Sequence, residues 1–127
     1  MPVRSLNSSV FRWPESDSVK RALLAWAAQE VPRHPGLLRL GYFGSYARGN
    51  AGVGSDLDLL AVVETADTPF MRRGMDWDLL PLPAPAEIVV YTREEWVRLQ
   101  AEAAPFARRL ARETVWIWPE ENAASMP

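Results

Sequence analysis

The sequence predicts an α+β domain in which a small mixed β-sheet is flanked by helices. One segment, residues 16–31, carries apolar residues at helical spacing. Four short runs, Leu37–Phe43, Leu57–Val63, Glu87–Thr92 and Thr114–Trp118, read as strands. Helices and strands interleave along the chain, which suits one sheet covered by helices. At 127 residues the chain is expected to form a single domain, 1–127, with residues 1–15 as an N-terminal extension that could add an edge strand.

In "SDSVKRALLAWAAQEV" the residues Val19, Ala22, Leu23, Trp26 and Ala27 share one stripe, with Ser16 or Asp17 as N-cap. "PRHPG", Pro32 to Gly36, stops that helix and makes His34 a loop residue. Leu37–Phe43 is a strand that ends at a Gly44-Ser45 turn, and the run Leu57–Val63, apolar apart from Asp58, reads as a strand buried on both faces. "TPFMRRGMDWDLLPLPAPA" reads as a short helix and a proline-rich connection. After the strand Glu87–Thr92, Thr92 and Glu95 form a capping box for a helix with Trp96, Leu99 and Ala103 inward. Pro105 interrupts that helix, a shorter piece runs through Leu110, and the last strand places Trp116 and Trp118 on one face. The pairs Arg72-Arg73 and Arg108-Arg109 read as solvated faces.

Composition excludes several classes. The formal net charge of −2 argues against bulk nucleic-acid binding, and the absence of cysteine excludes disulfides and thiolate metal sites. No apolar run reaches the roughly 20 residues of a membrane span. The N-terminus lacks a signal-peptide core, so a cytoplasmic protein is expected. Thirteen arginines stand against the single Lys20, and the single histidine leaves no obvious Ser-His-Asp arrangement.

The chemistry concentrates in "GYFGSYARGNAGVGSDLDLLAVV", residues 41–63. Gly44 and Gly49 have P-loop spacing, but Asn50-Ala51 stands where Lys-Ser or Lys-Thr is needed, and a dinucleotide-binding glycine pattern is absent too. What remains is a strand, Gly44-Ser45, ten residues, then Asp56-Leu57-Asp58-Leu59. On a strand Asp56 and Asp58 point to one side, roughly 6.5–7 Å apart at the backbone, while Leu57 and Leu59 enter the core. Two such carboxylates can converge on divalent cations about 3.5–4 Å apart, and oxygen-only ligands suit Mg²⁺. Gly44 allows close backbone approach and Ser45 offers a hydroxyl and an amide to a phosphate. Arg48 either contacts the same phosphates or clamps the loop through an aspartate.

"FGSYARGNAGVGSDLDLL" resembles the signature of the minimal nucleotidyltransferases, in the DNA polymerase β-like superfamily: an apolar residue, Gly-Ser, a spacer, then Asp-apolar-Asp-apolar. Phe43, Gly44, Ser45, Asp56, Leu57, Asp58 and Leu59 match it term by term, and "ARG" and "SD", with Ser55, match the small bacterial and archaeal branch. The resemblance implies the polymerase β-like fold and Mg²⁺-dependent transfer of a nucleoside monophosphate from ATP or another NTP, releasing pyrophosphate. By that resemblance Asp56 and Asp58 bind two Mg²⁺ ions, and Gly44, Ser45, Arg48 and Ser55 line the nucleotide. A third carboxylate, usually an aspartate on a later strand, corresponds to Glu87, with Asp78 of "MDWDLL" as reserve candidate. Larger relatives carry a second domain, so acceptor recognition is expected from a homodimer or a separate partner. The resemblance points to a helical HEPN protein, with this chain as antitoxin adding AMP to a partner tyrosine. The alternative is a catalytically weak binding subunit that neutralises its partner by complex formation, Glu87 marking a weakened metal site.

Overall fold

The computed structural model describes residues 16–119 apart from 53 and 103. The expected edge strand within 1–15 and the inward placement of Ala103 therefore lie outside the described residues, as do the side chains of the proposed caps Ser16 and Asp17. Helix α1 is Ser16–Glu30, followed by a 3₁₀ turn Val31–Arg33. Strand β1 is Leu37–Phe43, α2 the single turn Ser45–Arg48, and β2 Leu57–Val63. A 3₁₀ segment Phe70–Asp76 leads to β3, Ala86–Thr92. Helices α3, Arg93–Glu102, and α4, Pro105–Glu113, precede β4, Val115–Trp118.

The sheet order is β3-β2-β1-β4, with β2 parallel to β3 and β1 antiparallel to both β2 and β4. This is the small mixed sheet with helices that the sequence predicts. Apart from Asp58 near its start, central β2 is apolar because both of its faces are covered. On one side Leu57, Leu59 and Ala61 join Leu40 and Tyr42 of β1 and Val19, Leu23, Trp26 and Ala27 of α1 in the main core. On the other, Leu60 and Val62 are buried together with Ala107 and Leu110 of α4. Trp96 of α3 meets Tyr91, and Phe106 of α4 meets Phe43, so both helices lie on this second face. Among the described residues, no helix is long and apolar enough to cross a membrane.

Local rules explain most element ends. Pro32 and Pro35 end α1, and its last residue, Glu30, is buried yet satisfied: it accepts the N–H of Asp78 at 3.1 Å and pairs with His34 Nε2 at 3.0 Å. His34, expected as a loop residue, is in that loop and stacks on Trp77 with ring centroids 3.7 Å apart. The capping box forms as expected: Glu95 donates its N–H to Thr92 Oγ1 at 3.2 Å, and Thr92 donates its own to Glu95 Oε1 at 2.9 Å.

Three expectations change. Helix α4 runs past Leu110 to Glu113, because Leu110 continues the buried stripe begun by Ala107. Trp116 and Trp118 do not pack as one face: the register shifts between Leu40 and Gly41, so Trp118 packs on the main core while Trp116 lies under the Arg39 guanidinium and against Trp96. Arg73 is no solvated charge, since the 3₁₀ segment returns against β3 and brings its guanidinium onto Glu95. The fork reaches Oε1 at 2.6 Å and Oε2 at 3.2 Å and also donates to the carbonyls of Thr68 and Val90.

That fork, helped by the Thr92 N–H, lowers the Glu95 carboxyl to about 2 from an ordinary 4.5. A carboxyl lowered by folding adds stability above its unfolded value, and this is lost as pH falls from 4.5 toward 2. Because Glu95 is a third exposed, its contribution is discounted to about 1 kcal/mol. Chemical denaturation should therefore show Glu95→Gln weaker by about that amount at pH 7, with the gap to wild type closing below pH 3.

Candidate functional site

The end of β1 and the starts of β2 and β3 lie at one edge of the sheet, and the predicted residues collect there. β1 closes with Phe43, paired to Asp58 across the antiparallel ladder. The chain then turns at Gly44, with φ 81° and ψ −154°, a backbone region that is essentially glycine's alone. The turn also requires the missing side chain, because a Cβ on Gly44 would collide with Oδ2 of Asp58. The Gly44 backbone thus lies directly against the Asp58 carboxylate. From there α2 makes one turn: the Gly44 carbonyl accepts the Arg48 N–H at 3.0 Å, and the Ser45 carbonyl accepts the Asn50 N–H at 3.0 Å. Tyr46 is buried and holds the turn to the core, while Ser45 is half-buried at its start.

Asp58 and Glu87 occupy one register position on the parallel strands β2 and β3, which sets them on the same face of the sheet in adjacent strands. Asp56 precedes β2 and is exposed, as is Glu87, whereas Asp58 is half-buried. Burial raises the Asp58 carboxyl above its ordinary value; the charges of Glu87 and Asp56 raise it further, Glu113 adds to this, and Arg48 opposes it. Glu87 and Asp56 therefore act on Asp58 as like charges crowded at a strand end, and the three offer a donor set of hard oxygens with the chemistry for Mg²⁺. Among the described residues, no three acidic or histidine side chains stand close enough together, as oriented here, to hold an ion.

Other residues named from the sequence fall elsewhere. Ser55 Oγ accepts the Gly52 N–H at 2.8 Å and closes its own loop. Asp78 lies beside α1, with its carbonyl taken by Trp26 Nε1 at 2.7 Å and its carboxylate on the Leu80 N–H, and it is not among the charges acting on Asp58. Arg48 points Nη1 at Glu113 Oε1, 3.1 Å away, so a clamp on the loop forms here, but through a glutamate at the end of α4 and not through an aspartate. Glu113 itself was not legible from its neighbours. One local signal was available: a carboxylate in the last turn of α4, where the helix dipole disfavours negative charge.

Beside Glu87, a cleft of about 400 Å³ is lined by Phe70, Met71, Met75, Leu79 and Val89. Met71 and Met75 are largely exposed there.

No curated protein matches this sequence. In fold the chain is similar to a crystal structure of a candidate nucleotidyltransferase from Sulfolobus solfataricus, with a TM-score of 0.59 over 85% of this chain and 86% of that one, at 16% identity. A likeness at that identity speaks for the fold. The family model described as "Nucleotidyltransferase domain" matches residues 24–117, from the middle of α1 into β4, and so spans the whole sheet edge with its glycine turn and carboxylates. The chain belongs to this nucleotidyltransferase domain family.

Proposed function

We propose that the chain transfers a nucleoside monophosphate from ATP or another NTP to a hydroxyl acceptor. The observation that carries this is the pairing of Asp58 with Glu87 on one face, with the Gly44 backbone pressed against Asp58. Asp56, Asp58 and Glu87 would hold two Mg²⁺ ions. When bound, these neutralise the phosphate charge and acidify the acceptor hydroxyl. The Gly44-Ser45 turn, through its main chain and the Ser45 hydroxyl, receives the β- and γ-phosphates. Glu87 stands where an acceptor entering the Met71–Met75 cleft would present its hydroxyl, and it takes the acceptor proton. The acceptor oxygen bonds to the α-phosphorus, the bond from that phosphorus to the bridging oxygen breaks, and its electron pair leaves with pyrophosphate.

The acceptor in this reading is a tyrosine of a helical HEPN-type partner, which makes the chain the antitoxin of a toxin–antitoxin pair. The exposed apolar side chains of Met71 and Met75 in the cleft beside Glu87 support a protein acceptor. The same strip favours the second reading, a subunit that neutralises its partner by complex formation alone. Incubation of the chain with α-labelled ATP, Mg²⁺ and a helical protein captured by co-purification separates the two. Transfer predicts label on a partner tyrosine, lost when Mg²⁺ is chelated. A stable complex that never acquires label supports the binding subunit, and label on a small molecule excludes the antitoxin role.

A further inference from the structure

Glu113 is the last residue of α4, far along the chain from the glycine turn, yet its two carboxylate oxygens divide between the two ends of that turn. Oε2 accepts the N–H of Gly44 at 2.7 Å, and Oε1 receives Nη1 of Arg48 at 3.1 Å. Its side chain is only 9% exposed. A carboxylate that deep, placed at the helix end that electrostatics disfavours, is held there by its two donors.

The turn needs such a support. Helix α2 is four residues long, too short to hold itself, and it starts from a backbone conformation that persists only when its surroundings over-determine it. Gly44 also faces the Asp58 carboxylate with no room for an added carbon. A small shift of the turn therefore alters the gap between the phosphate-binding backbone and the first carboxylate of the proposed metal site.

We infer that Glu113 is a positioning residue: by gripping the Gly44 N–H and the Arg48 guanidinium together, it fixes the Gly44-Ser45 turn against Asp58 and makes Arg48 part of the framework. This rests on the nucleotidyl-transfer reading for its functional consequence. With the Arg48 charge matched by Glu113, phosphate recognition falls to the turn's main chain and Ser45. The opposite role, a carboxylate plug that phosphate must displace, is disfavoured because expelling Glu113 would leave the N–H of the buried Gly44 without its acceptor.

The test uses the full chain with Glu113→Ala and Glu113→Gln, and two readouts: exchange of the Gly44 amide by NMR and MgATP affinity by calorimetry well below the unfolding temperature. In Glu113→Ala the Gly44 amide should exchange about tenfold faster or more, and MgATP should bind about tenfold more weakly, as when a supporting partner of a metal site is lost. Glu113→Gln keeps an oxygen for the Gly44 N–H and should restore most of both. A purely structural role would lower the melting temperature and leave MgATP affinity untouched. Should Glu113→Ala not fold, Glu113→Asp withdraws the carboxylate by one methylene and should show the same faster exchange. Unchanged Gly44 protection in the folded variant overturns the inference, as does tighter MgATP binding in Glu113→Ala, which would make Glu113 a blocking group. If the wild type binds no MgATP, the nucleotidyl-transfer reading fails, while the Gly44 exchange still decides the positioning role.

Discussion

Gly44→Ala is expected to be the most damaging single substitution in the site, destabilising the chain by about 2–4 kcal/mol. Two costs combine. An alanine must adopt φ 81° with ψ −154°, which glycine alone tolerates, and its methyl group must displace the Asp58 carboxylate. Either the turn swings outward or Asp58 rotates away, and in both cases the phosphate floor and the carboxylates separate. A misplacement near 1 Å can cost about 10²-fold in rate, so nucleotidyl transfer should fall by at least that factor. Urea denaturation checks the stability term, and a double-mutant cycle checks its cause. If the collision with Asp58 is the main cost, Gly44→Ala and Asp58→Ala together should be markedly less destabilising than the sum of the two.

Asp58→Asn should act in the opposite direction on stability while removing activity. Its carboxyl is raised above the ordinary 3.8 by burial first, then by Glu87 and Asp56. A carboxyl raised by folding costs the folded state stability once pH climbs through its unfolded value, so wild type loses ground to Asp58→Asn as pH rises from below 3.8 toward neutrality. In metal-free buffer at pH 7 the variant should therefore melt higher than wild type. Added Mg²⁺ with ATP should reverse the order, because ligand that binds only the intact site stabilises wild type alone. Transfer by the variant should drop roughly 10²–10³-fold, the usual loss when a group facing developing phosphate charge is neutralised. A site that is less stable with its functional carboxylate than without it is what like charges gathered for a cation should produce.

The residues legible from the sequence are those whose constraint is local. The run Leu57–Val63 announces a strand buried on both faces, and Asp56 and Asp58 at its mouth announce a departure from that burial. Gly44-Ser45 follows a strand and precedes those aspartates at a fixed spacing, so the turn and the carboxylates are legible together in the chain. Glu87 is a charge opening an apolar strand, and parallel pairing of β2 with β3 sets it level with Asp58. What the sequence hides is set by long-range packing. Glu113 reaches Gly44 and Arg48 only because α4 lies across the same sheet face. Arg73 looks like half of an exposed basic pair until the 3₁₀ segment folds back over β3 and gives it Glu95. Asp78 repeats the aspartate pattern but is drawn to the end of α1 by Trp26 and Glu30. In each case the deciding partner is more than fifteen residues away, beyond the reach of periodicity or capping rules.

The central claim, that the carboxylates at this sheet edge serve a metal-bound nucleotide, is tested most directly by calorimetric titration of ATP into wild type and into Asp56→Asn with Asp58→Asn, each with and without Mg²⁺. Wild type should bind ATP only when Mg²⁺ is present, and the double variant, folded by circular dichroism, should show no Mg²⁺-dependent heat. Wild type that binds no nucleotide with Mg²⁺, or binding that survives loss of both aspartates, would contradict it.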